Sequence, residues 1–288
     1  MDEVCVIGGN RYFGRRVVEL LRDSGAKVTV LNRGSSAPPP GVTHLVADRD
    51  DEAGLAAALG RRSFDVVLDQ VLYRPEQAEI ALRVFGGRTG RYLMTSTVEV
   101  YDRVHGVAGQ PLGEPEFDAA AWTGAPSAEY AEGKRGAEAV LARQSVLPYA
   151  AVRTAHVLGG GAADFTGRLA HYVQRMRTGA EIVAHRPSHP ATFVEYGEIA
   201  DFLVWAAGSD FTGPVNAASH GETDVRALCA LIAAQGLPEA RFTEGAEPSP
   251  FSFDHYYGVA NTRAEQLGFR FSRLADWLPG VVRESVRG

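Results

Sequence analysis

The sequence predicts an α/β protein of Rossmann type, a doubly wound parallel sheet with a smaller carboxyl-terminal substrate-binding portion. Three observations predict it. The apolar run Val4-Cys5-Val6-Ile7 leads straight into the turn Gly8-Gly9-Asn10-Arg11-Tyr12-Phe13-Gly14, and an amphipathic stretch follows. Through the first half, short β-branched runs alternate with helical patterns, as in sheets covered on both faces. Much later comes a second signature, Tyr130-Ala131-Glu132-Gly133-Lys134.

Taken in order, Val4–Ile7 reads as the first strand, and the helix through Arg15–Arg22 carries Val17, Val18, Leu20 and Leu21. Gly25 stops that helix, and Lys27–Leu31 is the second strand. Pro38-Pro39-Pro40-Gly41 is a loop, because proline there forbids a helix. Then follow strand His44–Ala47, helix Glu52–Leu59, strand Phe64–Asp69, helix Pro75–Phe85 and strand Arg91–Thr95. A helix around Ser127–Gln144 and strand Tyr149–Arg153 complete the series. After Gly159-Gly160-Gly161 the rhythm changes, with helices at Phe165–Arg177, Glu198–Ala207 and Asp224–Gln235 and short strands near Glu181–Val183 and Pro214–Ala217. Residues 1–158 are therefore expected to form the dinucleotide-binding domain and 159–288 mainly the substrate portion. The helix near 198–207 is expected to pack back on the sheet.

Composition narrows the partners. At 288 residues the chain can bury a full core. A net charge of -6 argues against a nucleic-acid partner, which requires a basic face. The two cysteines, Cys5 and Cys229, lack metal-ligand spacing, and no His/Cys/carboxylate set supplies a metal site. No basic, long apolar leader opens the chain and no apolar run is long enough to cross a bilayer, so a cytoplasmic protein without a membrane partner is expected.

The glycine turn is an anion site by construction. Backbone N–H groups of the turn and the positive end of the following helix both point at a pyrophosphate. Gly8 permits the turn and Gly14 permits close helix–strand packing, whereas Arg11 stands where the middle glycine of such turns usually lies. The second strand ends in Asn32-Arg33-Gly34 rather than in the carboxylate that accepts the ribose hydroxyls of NAD(H). Arg33, joined by Arg11, can instead pair with a 2′-phosphate through charge-assisted hydrogen bonds of about 1.5–3 kcal/mol each. NADP(H) is accordingly expected over NAD(H). The candidate cofactor contacts are Gly8, Asn10, Arg11, Tyr12, Phe13, Gly14, Asn32, Arg33, Asp48, Val71 and Lys134.

The fifth strand ends in the hydroxyl cluster Thr95-Ser96-Thr97, at the carboxyl edge where doubly wound sheets bind ligands. Tyr130 and Lys134 stand four apart on a predicted helix and share a face. An ammonium there can lower the phenol's pKa from about 10.

On these motifs the chain resembles the extended or atypical short-chain dehydrogenase/reductases, the NAD-dependent epimerase/dehydratase-like family, from Val4 to about Trp277. Pro126-Ser127-Ala128-Glu129 before Tyr130, Glu138 after Lys134, Leu147-Pro148 before a strand ending in Arg153, and Phe193 through Ala200 also fit the pattern. The turn is similar to that of a subgroup reading Gly-Gly-Thr-Arg-Phe-x-Gly. The resemblance implies that Tyr130 is the general acid or base, that Lys134 holds the nicotinamide ribose and keeps the phenol proton labile, and that Thr97 hydrogen-bonds the substrate oxygen. It also implies a homodimer formed through helices near Pro75–Phe85 and Ser127–Gln144.

Departures from the family bear on the reaction. Sugar-nucleotide members clamp the diphosphate with arginines; one such position is Ala191 here, and a second basic stretch is replaced by Phe251-Ser252-Phe253-Asp254-His255-Tyr256-Tyr257. An aromatic patch suits a flatter, less charged substrate. Glu99 supplies one carboxylate near Thr97, where dehydratases add an acidic pair. His156, after the sixth strand, and His185 are the candidate substrate-contacting histidines, and Phe253 and Tyr256 of the aromatic stretch are further candidate contacts. The leading expectation is an NADPH-dependent ketoreductase acting on a small apolar or aromatic ketone, in a bacterial biosynthetic pathway such as that of a secondary metabolite. The alternatives are a nucleotide-sugar epimerase or dehydratase with tightly held NAD, and a non-catalytic cofactor sensor or nucleic-acid-associated protein.

Overall fold

In the computed structural model, which describes residues 1–288 except Pro126 and Ala128, the elements follow one another as the hydrophobic pattern requires. In chain order they are β1 (Glu3–Ile7), α1 (Tyr12–Asp23), β2 (Lys27–Asn32), β3 (Thr43–Val46), α2 (Glu52–Leu59), β4 (Val66–Asp69), α3 (Pro75–Phe85), β5 (Tyr92–Thr97), α4 (Tyr130–Arg143) and β6 (Tyr149–Thr154). Then come β7 (His156–Leu158), α5 (Arg168–Thr178), β8 (Ile182–Val183), β9 (Ala191–Glu195), α6 (Tyr196–Gly208), β10 (Gly213–Ala217), β11 (Glu222–Thr223), α7 (Val225–Ala233), β12 (Phe242–Thr243), α8 (Thr262–Gln266) and α9 (Leu274–Arg287). Pro126 and Ala128, part of the motif preceding Tyr130, lie outside the described residues. No helix of the described residues is long and apolar enough to cross a membrane.

The first unit comprises Met1–Val100, Phe117–Thr154 and Ile199–Val215. Its seven-stranded sheet runs β10-β6-β5-β4-β1-β2-β3, and the ladders from β6 through β3 are parallel. The chain leaves β1 toward β2 and β3, then returns to lay β4, β5 and β6 on the other side. The order therefore reverses between β1 and β4, and the crevice at their carboxyl ends is where such sheets bind ligands. The central strands are buried on both faces, which explains why they read as unbroken apolar runs. One side of the core gathers Cys5, Ile7, Leu31, Val67 and Met94 from the strands with Leu55, Phe85 and Leu141 from helices.

The second unit comprises Tyr101–Glu116, Ala155–Glu198 and Asn216–Gly288. It holds a three-stranded sheet ordered β11-β9-β7 and the parallel pair β12-β8, with α9 packed on α5, α7 and β9. Residue 158 is therefore not a single dividing point: the first unit yields residues 101–116 and takes in 199–215. Three details correct the sequence reading. Helix α4 starts at Tyr130, not near Ser127; α5 starts at Arg168, after a left-handed Gly167, and leaves Phe165 exposed. Helix α9 has no counterpart among the expected elements.

Candidate active site

Gly8 and Gly9 take φ of 88° and 78°, a left-handed region open to glycine at no steric cost, and so bend the chain out of β1. A Cβ on Gly8 would meet Val71 Cγ1 at 2.9 Å, and one on Gly14 would stand 1.9 Å from Gln70 Oε1. The turn is thus closed against the segment leaving β4. Arg11 caps α1 in extended conformation and is exposed; Tyr12 follows at φ 51°, with its ring 5.6 Å from that of Phe13.

Asn10 Nδ2 donates to the Ser36 carbonyl (2.5 Å) and Oγ (3.1 Å), joining the turn to the β2–β3 loop. Asn32 Oδ1 accepts from Gly34 N (2.7 Å) and sits 3.1 Å from His44 Nε2. Arg33 is exposed, and Asp48, also exposed, accepts from Asp50 N at 3.0 Å.

Three buried amide atoms flank this turn without a hydrogen-bond partner among the described residues: Asn10 Oδ1, Asn32 Nδ2 and Gln70 Nε2. Buried polar atoms are normally paired. Together with the glycine cradle, this donor and acceptor set fits a dinucleotide.

The candidate acid–base group is built by α4 and β5. Lys134 is 1% exposed, and its Nζ donates to the Thr95 carbonyl at 2.7 Å. Burial pulls its pKa down to about 7, while Asp69 and Glu138 act to raise it and Arg49 to lower it. Tyr130, the first residue of α4, is half exposed, with its ring centroid 5.8 Å from Lys134 Nζ. Thr97 closes β5, and its Oγ1 accepts from Glu99 N at 3.2 Å.

Alternation along the strand sends Ser96 the other way. Its Oγ donates to Glu138, which also binds Arg153 Nη2 (2.8 Å), and Arg153 reaches the Phe117 carbonyl (2.9 Å). Ser96, Glu138 and Arg153 are therefore framework. Glu99 lies in a short 3-10 turn whose carbonyls at Glu99 and Val100 accept from Arg135, itself paired with Glu132.

Sequence reasoning missed Gln70, Tyr73 and the buried set Asp69, Arg49 and Tyr92. Arg49 Nη1 lies 2.5 Å from Asp69 Oδ2, and the Tyr92 hydroxyl donates to the same carboxylate. The available signal was a polar Asp-Gln pair at the carboxyl end of an apolar strand, beside the glycine turn.

In the second unit, His156 is buried among Phe193, Phe251, Phe253 and Tyr257, stacked on Phe253 with centroids 4.9 Å apart. Burial, aided by Arg168, lowers its pKa to about 3, so the imidazole is neutral at physiological pH. Two of the expected substrate contacts are engaged elsewhere. Tyr256 is buried and donates its hydroxyl to Glu222, leaving Tyr257 as the ring in the cluster. His185 is half buried and tied to Ser252 through its backbone N (2.9 Å) and Nδ1 (3.0 Å). A groove lined by Arg22, Lys27, Arg61 and Arg62 lies along β1–β3, and none of the candidate site residues lines it.

The glycine turn, the β5 hydroxyl and the Tyr/Lys pair all lie within residues 4–216, which match a family model described as the NAD dependent epimerase/dehydratase family. The chain belongs to the NAD dependent epimerase/dehydratase family. Solved structures of similar fold include UDP-glucose 4-epimerase of Thermotoga maritima with UDP-glucose (TM-score 0.76, 19% identity, covering 99% of this chain and 97% of that one). UDP-glucose 4-epimerase of Thermus thermophilus in complex with NAD is similar at TM-score 0.75 and 20% identity, covering 99% and 98%. dTDP-glucose 4,6-dehydratase of Bacillus anthracis in complex with NAD is similar at TM-score 0.79 and 11% identity, covering 100% and 97%. No curated protein matches the chain. As a member of the epimerase/dehydratase family, the chain is an NAD(P)-dependent enzyme.

Proposed function

We propose that this chain catalyses reversible hydride transfer at a secondary carbinol or ketone carbon, with Tyr130 as the acid–base residue. The observation that best supports this is the buried Lys134 ammonium, tied to the carbonyl of Thr95 and one helical turn from Tyr130, with Thr97 two residues further along β5. A bound nicotinamide dinucleotide supplies the hydride donor or acceptor. The turn Gly8–Gly14 and the amino end of α1 hold its pyrophosphate. Thr97 orients the substrate oxygen. Tyr130 gives or takes the proton at that oxygen, and the positive charge of Lys134 eases ionisation of the phenol.

Two fates of the hydride follow. The family match and the epimerases and dehydratase of similar fold support an internal cycle on a nucleotide sugar, for which a retained NAD would serve as both hydride acceptor and donor. The end of β2 favours a second reading. With Asn32 and an exposed Arg33 where a carboxylate would bind ribose, and with Ala191 in β9 where sugar-nucleotide relatives have arginine, an NADPH-dependent reductase of a small ketone is supported by this chain's own residues.

Denaturing freshly purified protein and identifying the released nucleotide by mass separates them. Stoichiometric NAD supports the internal cycle. An empty protein that binds NADPH more tightly than NADH supports the reductase. A protein that retains neither nucleotide and binds neither overturns both.

A further inference from the structure

Lys134 can assist Tyr130 only while its amine carries a proton, and its burial opposes that. Two carboxylates face it, Asp69 of β4 and Glu138 of α4, but each is already engaged. Asp69 is bound by Arg49 and by Tyr92, and Glu138 by Arg153 and by Ser96. The Arg49 guanidinium adds a repulsive charge. Among the described residues, the ammonium also meets the Thr95 carbonyl and two aromatic rings. The nearer ring is that of Tyr73, its centroid 4.7 Å from Nζ, against 5.8 Å for Tyr130. A cation within about 6 Å of a ring face is attracted to it, most strongly where water is excluded.

Tyr73 is held there by contacts from two helices. Its backbone N donates to Gln77 Oε1 at 2.8 Å, the same oxygen accepts from Arg74 N at 3.2 Å, and both Gln77 Nε2 and Arg74 Nη2 bond Asp50 at 2.7 Å. Its carbonyl rests against α4 at Gly133, where a Cβ would stand only 2.3 Å away. Gly133 lies between Tyr130 and Lys134, so its missing side chain is what lets the Tyr73 segment reach this face of the helix. The Tyr73 and Tyr130 rings are 6.1 Å apart. Tyr73 is 42% exposed while its ring lies over the buried Lys134 amine, and partial desolvation, with Asp69 nearby, holds the phenol above its ordinary range.

We propose that Tyr73 is a positioning residue of the acid–base centre, its ring face stabilising the Lys134 ammonium so that the amine stays charged beside Tyr130. The consequence for catalysis rests on the acid–base role proposed for Tyr130; the contact itself does not.

The sequence contains two lysines, Lys27 and Lys134, so a protein labelled with 13C at lysine Cε gives two resonances, assigned with Lys27→Arg. In Tyr73→Leu the Lys134 midpoint falls by about 0.5–1.5 pH units while that of Lys27 stays put. In Tyr73→Phe, which keeps the ring face, it does not move. Should the leucine variant fail to fold, pentafluorophenylalanine at position 73 keeps the shape and reverses the ring's quadrupole, and it lowers the midpoint likewise. An unmoved midpoint in the leucine or pentafluorophenyl protein overturns the proposal, as does a phenylalanine variant that shifts as far as leucine. The titration needs no substrate. A shifted midpoint in a protein whose Tyr130→Phe variant turns over normally defeats the acid–base reading and leaves this proposal standing.

Discussion

Lys134 Nζ donates to the main-chain carbonyl of Thr95 at 2.7 Å, joining helix α4 to strand β5 two residues before Thr97. The next residue of the helix, Arg135, takes the carbonyls of Glu99 (3.1 Å) and Val100 (2.9 Å) on the far side of Thr97. Two consecutive helix side chains thus grip both flanks of the strand end that carries the candidate hydroxyl, and their anchor is one turn from Tyr130.

Replacing Tyr130 with Phe removes the proposed proton carrier and leaves the half-exposed ring in place. Turnover falls by about 10²–10⁴-fold while dinucleotide affinity stays within a few-fold of the parent. Steady-state kinetics alongside a binding titration check both halves.

At the end of β2, Arg33 is exposed and the adjoining Asn32 offers no carboxylate. On the reductase reading Arg33 pairs with a 2′-phosphate, and Arg33→Asp would set a repulsive charge there. The ratio of NADPH to NADH affinity then drops about 10–100-fold, as expected from loss of one charge-assisted hydrogen bond. Fluorescence titration with the two reduced nucleotides reads it.

Gly14→Ala sets a methyl 1.9 Å from Gln70 Oε1 and 3.3 Å from Gly9 Cα. Overpacking costs about 1–3 kcal/mol, and because the nearest obstruction is the end of a flexible side chain the loss falls at the lower end of that range. Truncating the obstructing side chain in the Gly14→Ala, Gln70→Ala double variant returns most of that stability, which urea unfolding of the four proteins measures as a coupling energy.

Glu138 is 1% exposed and holds both Ser96 and Arg153. Glu138→Gln leaves the fully buried Arg153 without its counter-charge, and breaking such a pair costs about 3–5 kcal/mol. The midpoint of denaturant unfolding reports the loss.

The depressed pKa of Lys134 makes stability depend on pH in a definite sense. The unfolded chain keeps this proton up to about pH 10.4, whereas the native state releases it near 7. Between those values the unfolded state binds more protons, so stability rises with pH in that window. A Lys134→Met variant lacks the effect, and the difference in unfolding free energy moves in favour of the parent from pH 7 to pH 10.

Much of the site could be read from the residues because its constraints are local. Gly8, Gly9 and Gly14 are imposed by backbone geometry within a few residues, and Tyr130 and Lys134 by a single helical turn. What the sequence hid depends on distant packing or on register. Tyr73 reaches Lys134 only because Gly133, sixty residues later, leaves space for its carbonyl. Tyr256 and Tyr257 are neighbours with opposite fates: pairing with Gly106 draws Tyr256 to Glu222, while pairing with Ala191 of β9 places Tyr257 beside His156. Helix α9 is not among the expected elements; Pro279, a residue that ordinarily breaks a helix, lies inside it, yet the helix continues with Leu274, Leu278 and Val282 buried.

The most direct test of the account is a calorimetric titration of the protein, cleared of any retained nucleotide, with the oxidised and reduced forms of NAD and NADP. At least one of them is expected to bind at one equivalent per chain, and more weakly to Gln70→Leu, which lacks the unpaired Nε2 donor beside the glycine turn. A parent protein that binds none of the four would contradict that expectation.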